Sequence, residues 1–288
     1  TKFGAGTLQI NAVQEFEGNI ELNRGALTFG AANVLPFFSN LGGTSGSVII
    51  MSPGTTIDLN GFDQEFGNLS AINPSNSFQF AAGTLALGGN TLTVGRQDTS
   101  QEFNGQILGT AGSRIVKSGT GTLTLSNING NRPNSLDTLE ITQGGVSAWV
   151  NDNSWATPTT NTSAIPSTTT ILLRGGTFTA LAIGDSSSNQ QRIHIGNNIV
   201  HQDADSIFTT TRATGGGSNK LLTFNDLTLD VQLFRVTNGS AFIPRFDGTT
   251  TLTNHARLQV DNSLVLAGVV TDGGNGYTLN KIGGGGVV

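Results

Sequence analysis

Hydrophobic and polar residues alternate in short bursts along this chain. Leu8 and Ile10 fall on one side of Thr7–Ile10, and Thr7 and Gln9 fall on the other. That is the period-two pattern of a half-buried strand. Similar bursts recur at Ile20–Leu22, Ala26–Phe29, Thr84–Leu87, Thr91–Val94, Thr122–Leu125, Thr170–Leu173, Leu227–Val231 and Arg257–Val260. Between the bursts sit turn signals such as Asn23-Arg24-Gly25, Ser52-Pro53-Gly54, Asn60-Gly61, Gly88-Gly89-Asn90 and Arg174-Gly175-Gly176. Many short strands at near-regular spacing predict an all-β fold.

The strands are too short and too numerous for a single sandwich, and the chain repeats itself. Lys117–Leu125 reads KSGTGTLTL; Lys2–Ile10 (KFGAGTLQI) and Lys281–Val288 (KIGGGGVV) are partial copies. Phe103–Leu125 also aligns with Leu266–Val288 through Gly105 and Gly268, a following apolar pair, a glycine-rich turn and a lysine. Such self-similarity is the signature of a solenoid. Each coil buries one set of side chains and leaves its edges to be paired by the next coil. At roughly 20–25 residues per coil and about 4.8 Å per rung, the chain predicts about a dozen coils in a rod on the order of 50–60 Å long. Inward Leu, Ile, Val and Phe stack on like residues, while Thr and Ser suit outward positions. The expected organisation is a single β-solenoid segment over residues 1–288. Its matching first and last signatures read as part of a longer repeat protein. Residues 149–170 read as a loop insertion.

Composition sharpens this picture. Gly makes up 40 of 288 residues and only 11% are charged, against about 25% in ordinary domains. Gly, Thr, Asn and Ser are poor helix formers, so no helix is expected. The 36% hydrophobic content supports a core and argues against disorder. A net charge of −5 gives no basic patch for nucleic acid. No apolar run approaches the roughly 20 residues of a membrane span. Residue 1 opens no signal peptide. Cysteine is absent, which is compatible with export as an unfolded chain.

Residues 56–127 carry a more specific pattern. They run TIDLNGFDQEFGNLSA, then AAGTLALGGNTLTVG, then QEFNGQILGTAGSRIVKSGTGTLTLSN. This resembles the autotransporter-associated β-strand repeat of large exported bacterial surface proteins, with looser copies at 2–29 and 263–288. Residues 149 to 250 depart from it through longer polar loops. The resemblance implies a right-handed parallel β-helix in the passenger part of a secreted or surface-attached protein. The family has no shared catalytic residues to carry over, and the resemblance leaves the export route open.

Several residues are candidates for chemistry. Trp149 and Trp155, with Asn151, Asp152 and Asn153 between them, are the candidate binding residues. An aromatic face beside hydrogen-bonding groups could stack a sugar. The plainer alternative has Trp149 ending an inward strand and Trp155 clamping the loop. His201, Asp203 and Asp205 would share one face of an extended strand and could hold a metal, although a solvated outer face explains them as well. Asp272–Gly276 reads as a tight turn, because the calcium-binding nonapeptide is not repeated. Gly184–Ser188 superficially resembles a serine-hydrolase motif, but nothing fixes a base beside Ser186. The glycines of Lys117–Leu125 are no phosphate cradle, because the lysine precedes them and a strand follows. Lys117 and Lys281 read as repeat-edge residues, their stems covering apolar corners and their ammonium groups in solvent. No cofactor, metal or catalytic residue is expected.

The expected function is that of an extracellular structural or adhesive module, outer-membrane-exported and presenting loops for surface or glycan attachment. Its partners would be adjoining repeats, other copies of itself or surface glycans. Nucleic acid and membrane insertion are not expected. Two alternatives stand beside this: a self-assembling filament or surface-layer subunit, and a β-helix polysaccharide-degrading enzyme or phage-type spike.

Overall fold

The computed structural model describes residues 1–16, 18–35, 47–71, 83–128, 132–151, 162–184, 192–215, 220–239 and 242–288. Among the described residues the regular elements are all strands, and no helix occurs. The strands pair in parallel, as a solenoid requires, with one antiparallel exception among the described registers. The fold is a parallel β-solenoid. Its residues group into two compact units, Thr1–Leu139 with Gly144–Val146 and Glu140–Gln143 with Ser147–Val288.

The first unit opens with coils of two strands. Thr7–Ile10, Ala26–Phe29 and Thr56–Asp58 stack on one side, and Ile20–Leu22, Val48–Met51 and Asn68–Ser70 stack on another. From Thr56 onward a third side appears, formed by Gln64–Phe66, Thr91–Val94 and Arg114–Lys117. The burial pattern follows the sequence alternation. In Thr122–Leu125 the leucines are buried and the threonines half-buried, and Thr84–Gly88 behaves in the same way.

The second unit is regular. On its first side lie Thr170–Leu173, Asn198–His201, Leu227–Leu229, Thr250–Leu252 and Val270–Thr271. Its second side carries the longest strands, Gly176–Gly184 and Ser206–Gly215, followed by Leu233–Asn238, Ala256–Val260 and Leu279–Ile282. Arg192–His194, Lys220–Phe224, Phe242–Phe246, Ser263–Leu266 and Gly286–Val287 form the third. Neighbours within a side are three strands apart in sequence, so each coil lays one strand on each side. Parallel strands cannot be joined by a tight hairpin. Here the other two sides of the coil serve as the crossover.

Phenylalanines fill the inside of this unit. Phe208 meets Phe224 edge-on with ring centroids 5.0 Å apart, and lies 5.8 Å from both Phe178 and Phe246 and 5.9 Å from Phe234. All five rings are fully buried. They come from the second and third sides, so one ring cluster ties two sides together across several rungs.

Coil length is less uniform than the sequence period predicts. Thr91 lies beside Arg114, which fits the expected period. Gly176 lies beside Ser206, a longer coil, and Thr7 beside Ala26, a shorter one. The physical reason is that the ladder fixes only the strands. The corners can hold few residues or many without disturbing the register.

Candidate functional site

The repeated lysine bends share one polar contact, an ammonium group donating to the carbonyls of its own glycine turn. Lys117 ends the strand Arg114–Lys117 in the same phase as buried Ile115. Its side chain is therefore inward, with 0% exposure. This corrects the expectation that its ammonium group stays in solvent. Nζ donates to the carbonyl oxygens of Ser118 at 2.6 Å and Gly119 at 2.7 Å. The chain can fold its carbonyls back onto the ammonium because Gly119 adopts φ 70°, a left-handed conformation that other residues rarely take. Burial pushes the Lys117 pKa down to about 8, partly offset by the nearby Asp98 carboxylate. Asp98 also accepts a hydrogen bond from the Thr120 amide at 2.6 Å.

The other two copies repeat the contact. Lys2 Nζ donates to Gly4 O at 2.8 Å and Arg24 O at 2.9 Å. Lys281 Nζ donates to Gly283 O at 2.7 Å and also to Gly285 O. In all three the ammonium reaches the carbonyl two residues ahead. Lys281 alone of the three is exposed as a residue, so the expectation of a solvent-facing lysine fits it better than Lys117. Even so, its ammonium is held by carbonyls. The parity of the RIVK strand is the signal that places Lys117 inward, since side chains two apart share a face.

His201, Asp203 and Asp205 do not share a face. The strand Asn198–His201 ends at the histidine, and Asp203 lies in the following turn with φ 69°. His201 points into the core with 0% exposure, its ring centroid 5.2 Å from that of Phe234. Its Nε2 lies 3.0 Å from the Ala204 carbonyl oxygen and therefore carries the proton in that contact, while buried Nδ1 has no hydrogen-bond partner. Burial lowers the His201 pKa, opposed by the Ala204 carbonyl and by Asp230 and Asp205. Asp203 instead pairs with Arg174, which also reaches the Glu140 carboxylate at 3.3 Å. Asp205 accepts from the Leu233 amide at 2.8 Å. Both carboxylates are therefore engaged by residues distant in sequence, Asp203 by Arg174 and Asp205 by the Leu233 amide. Among the described residues no group of three His, Asp or Glu side chains could hold a metal ion.

The candidate sugar platform is only partly described. Trp149 lies in the strand Gly145–Asn151 between buried Ala148 and Val150 and is itself half-buried. Alternation turns it away from the core, which corrects the alternative that it ends an inward strand. The backbone of Asn151 pairs antiparallel with Thr162, and Val150 with Ser163. Asp152, Asn153 and Trp155 lie outside the described residues, as does the Asp185–Ser188 part of the hydrolase-like motif. The structure therefore brings Trp149 and Asn151 to one strand end and describes no assembled platform.

No family model matches the chain, and no curated protein or solved structure matches it either. Geometry alone therefore supports any functional reading.

The remaining candidates are structural. Asp272 closes its glycine turn by accepting from the amides of Gly274 at 2.9 Å and Tyr277 at 2.8 Å, which holds its carboxyl below the usual range. Gly273, Gly274 and Gly276 all have positive φ, so the run is the tight turn expected. His194, the histidine nearest Ser186 in sequence, places Nδ1 3.1 Å from Thr223 Oγ1. Burial raises the Glu65 pKa against the lowering effect of its partner Arg96. That ion pair joins neighbouring coils on the outer surface.

Proposed function

We propose that the chain is an extracellular structural module of a bacterial surface or secreted protein: a β-solenoid scaffold that presents the insertion at 149–170 for surface or glycan attachment. One observation carries the reading. The only antiparallel pairing among the described registers, Val150 with Ser163 and Asn151 with Thr162, closes the neck of the insertion. Regular stacking resumes at Thr170. An insertion clipped at its neck can vary in sequence while the scaffold beneath keeps its register. Loops on a rigid scaffold are where binding residues concentrate. The outward, half-buried Trp149 stands at the entry to this neck.

The fold and the lysine bends support the scaffold part. Their polar groups are taken up by backbone carbonyls and turns. The test replaces residues 152–161 with a Gly-Asn turn. Thermal unfolding should be unchanged within a few degrees, while retention on bacterial surface glycans, read on a glycan array, should be lost. Retention at the original level would overturn the reading.

A further inference from the structure

Asn-Gly pairs occur at Asn60, Asn104, Asn129, Asn238 and Asn275. In such a pair the glycine nitrogen can attack the asparagine carboxamide carbon and close a five-membered imide, because no Cβ on the glycine shields its amide. The reaction needs a glycine amide free of hydrogen bonds and room for the ring, so the fold decides which pair can react. Asn129 lies outside the described residues. Of the remaining pairs, three are held. The Gly239 amide donates to Thr210 O at 2.8 Å, and Asn238 Oδ1 accepts from the Ser263 amide at 3.2 Å. Gly105 is buried, and a Cβ there would lie 2.3 Å from the Phe103 ring. Asn104 Nδ2 is taken up by Ser126, donating to its carbonyl oxygen at 3.2 Å and its hydroxyl at 3.1 Å. The Gly276 amide donates to the Asp272 carboxylate.

Asn60-Gly61 differs on each count. The Phe62 amide donates to Leu59 O at 3.0 Å, closing a turn around the pair. Asn60 has φ 51° and Gly61 φ 88°, and positive φ at both central positions belongs to the type I′ turn. The closing bond uses the residue after the glycine, and the Gly61 amide itself donates to no group among the described residues. Both residues are exposed, and a Cβ on Gly61 would meet nothing within 4 Å among the described residues. Asn60 Nδ2 donates to Phe29 O at 2.9 Å, which holds the carboxamide beside the turn and against the preceding coil. The Asn60 amide donates to Asp58 Oδ1 at 2.8 Å.

We infer that Asn60 is a self-modification site, at which the folded chain converts its own asparagine to aspartate and isoaspartate. Hydroxide removes the Gly61 amide proton, and the nitrogen bonds to Asn60 Cγ. The Cγ–Nδ2 bond breaks, and ammonia leaves with a proton taken from water. Water then opens the imide. Attack at the Cγ carbonyl gives aspartate. Attack at the backbone carbonyl gives isoaspartate, in which the main chain runs through the former side-chain carbon. The net change consumes one water and releases one ammonia, with no oxidant or cofactor. The product lacks the Nδ2 donor to Phe29 O and sets a second carboxylate beside Asp58. In isoaspartate the turn also gains one backbone atom. The reaction therefore removes a contact between neighbouring coils at this corner and adds negative charge to it.

The test incubates the full chain at mildly alkaline pH in water enriched in heavy oxygen and follows each Asn-Gly peptide by mass spectrometry. Each conversion fixes one oxygen atom from the solvent. In the folded chain the Asn60 peptide should take up label at least tenfold faster than the peptides of Asn104, Asn238 and Asn275. In urea, where the hydrogen bonds and packing that separate the four are gone, their rates should converge to within about threefold. Asn60→Gln keeps a carboxamide but would have to close a six-membered ring, so its peptide should stay unlabelled while the other three label as before. A folded-state rate at Asn60 no higher than at the three held pairs would overturn the proposal. So would a tenfold spread that survives in urea, or label that persists in the Asn60→Gln peptide.

Discussion

Lys117 Nζ donates to the carbonyl oxygen of Gly119 at 2.7 Å with no part of the lysine exposed to solvent. The contact converts a charged residue into an internal pin for a corner. It holds together two groups that each need the other: an ammonium removed from water, and carbonyls turned away from the strand ladder. Burying either without a partner is costly.

Truncation of this lysine should therefore be more harmful than an isosteric swap. Lys117→Ala leaves a cavity and orphaned carbonyls and should cost about 2–5 kcal/mol, the range for deleting a long buried side chain. Lys117→Met keeps the stem and also removes the burial cost of the charge. At pH 7 it should cost about 1 kcal/mol or less. Urea unfolding of the two variants beside the parent checks the order.

The same lysine gives a signed pH dependence. Its folded pKa of about 8 lies below the ordinary lysine value of 10.5. Between those values the unfolded chain holds the proton more often than the folded one, so the lysine's contribution to stability rises with pH across that window. Below about pH 8 it is constant. The gap between the parent and Lys117→Met should widen from pH 8 to pH 10, at no more than about 1.4 kcal/mol per pH unit. A gap that narrows over that range would contradict the assignment of burial as the dominant cause.

His201 acts in the acid range. Burial lowers its pKa from 6.5, so the folded state resists a proton that the unfolded chain accepts. Stability from the neutral ring is present in full above about pH 6.5 and is lost as pH falls through the lowered folded value. A proton on Nδ1, which has no partner in the core, has no acceptor to meet. The protection factors of the amides in Asn198–His201, which correct the observed rates for the slower chemical exchange in acid, should fall between pH 7 and pH 5. His201→Gln, which keeps a donor for the Ala204 carbonyl, should flatten that dependence.

The ring cluster around Phe208 should dominate the stability of the second unit. Phe208→Ala removes the ring that contacts Phe178, Phe224, Phe234 and Phe246 and should cost about 3–5 kcal/mol. Phe208→Leu retains much of the volume and should cost less. Calorimetric unfolding of both variants tests whether the cluster acts as one unit.

A stacking glycine gives an independent check on the coil geometry. Gly144 has φ 66°, and a Cβ there would lie 2.3 Å from Gly119 O. Gly144→Ala combines left-handed strain with a backbone collision and should cost at least about 2 kcal/mol.

Period-two alternation makes the strands legible, because alternation and burial in a sheet share one cause. Thr122–Leu125 and Thr84–Gly88 can be read directly from their leucines. Lys117 shows where residue type misleads: an inward position in the RIVK strand outranks the usual preference of lysine for water once carbonyls are there to receive it. His201 misleads in another way, because nothing in HQDAD announces that the strand stops at the histidine. The turn depends on Asp203 taking a left-handed conformation and on Arg174, 29 residues away in sequence. Coil length is legible only where corners are short. Of the binding residues, Trp149 stands out in the sequence through its rarity, but its outward direction follows from buried Ala148 and Val150 on either side of it.

The antiparallel clip at Val150–Ser163 and Asn151–Thr162 has a practical meaning for evolution and engineering alike. It fixes the spacing of Asn151 and Thr162 whatever the length of the chain that joins them. A foreign peptide spliced between Asn151 and Thr162 would inherit a closed base and a fixed bearing without any change to the rungs on either side. That makes this corner a natural grafting socket, where a change of sequence or length would spare the register of the rungs.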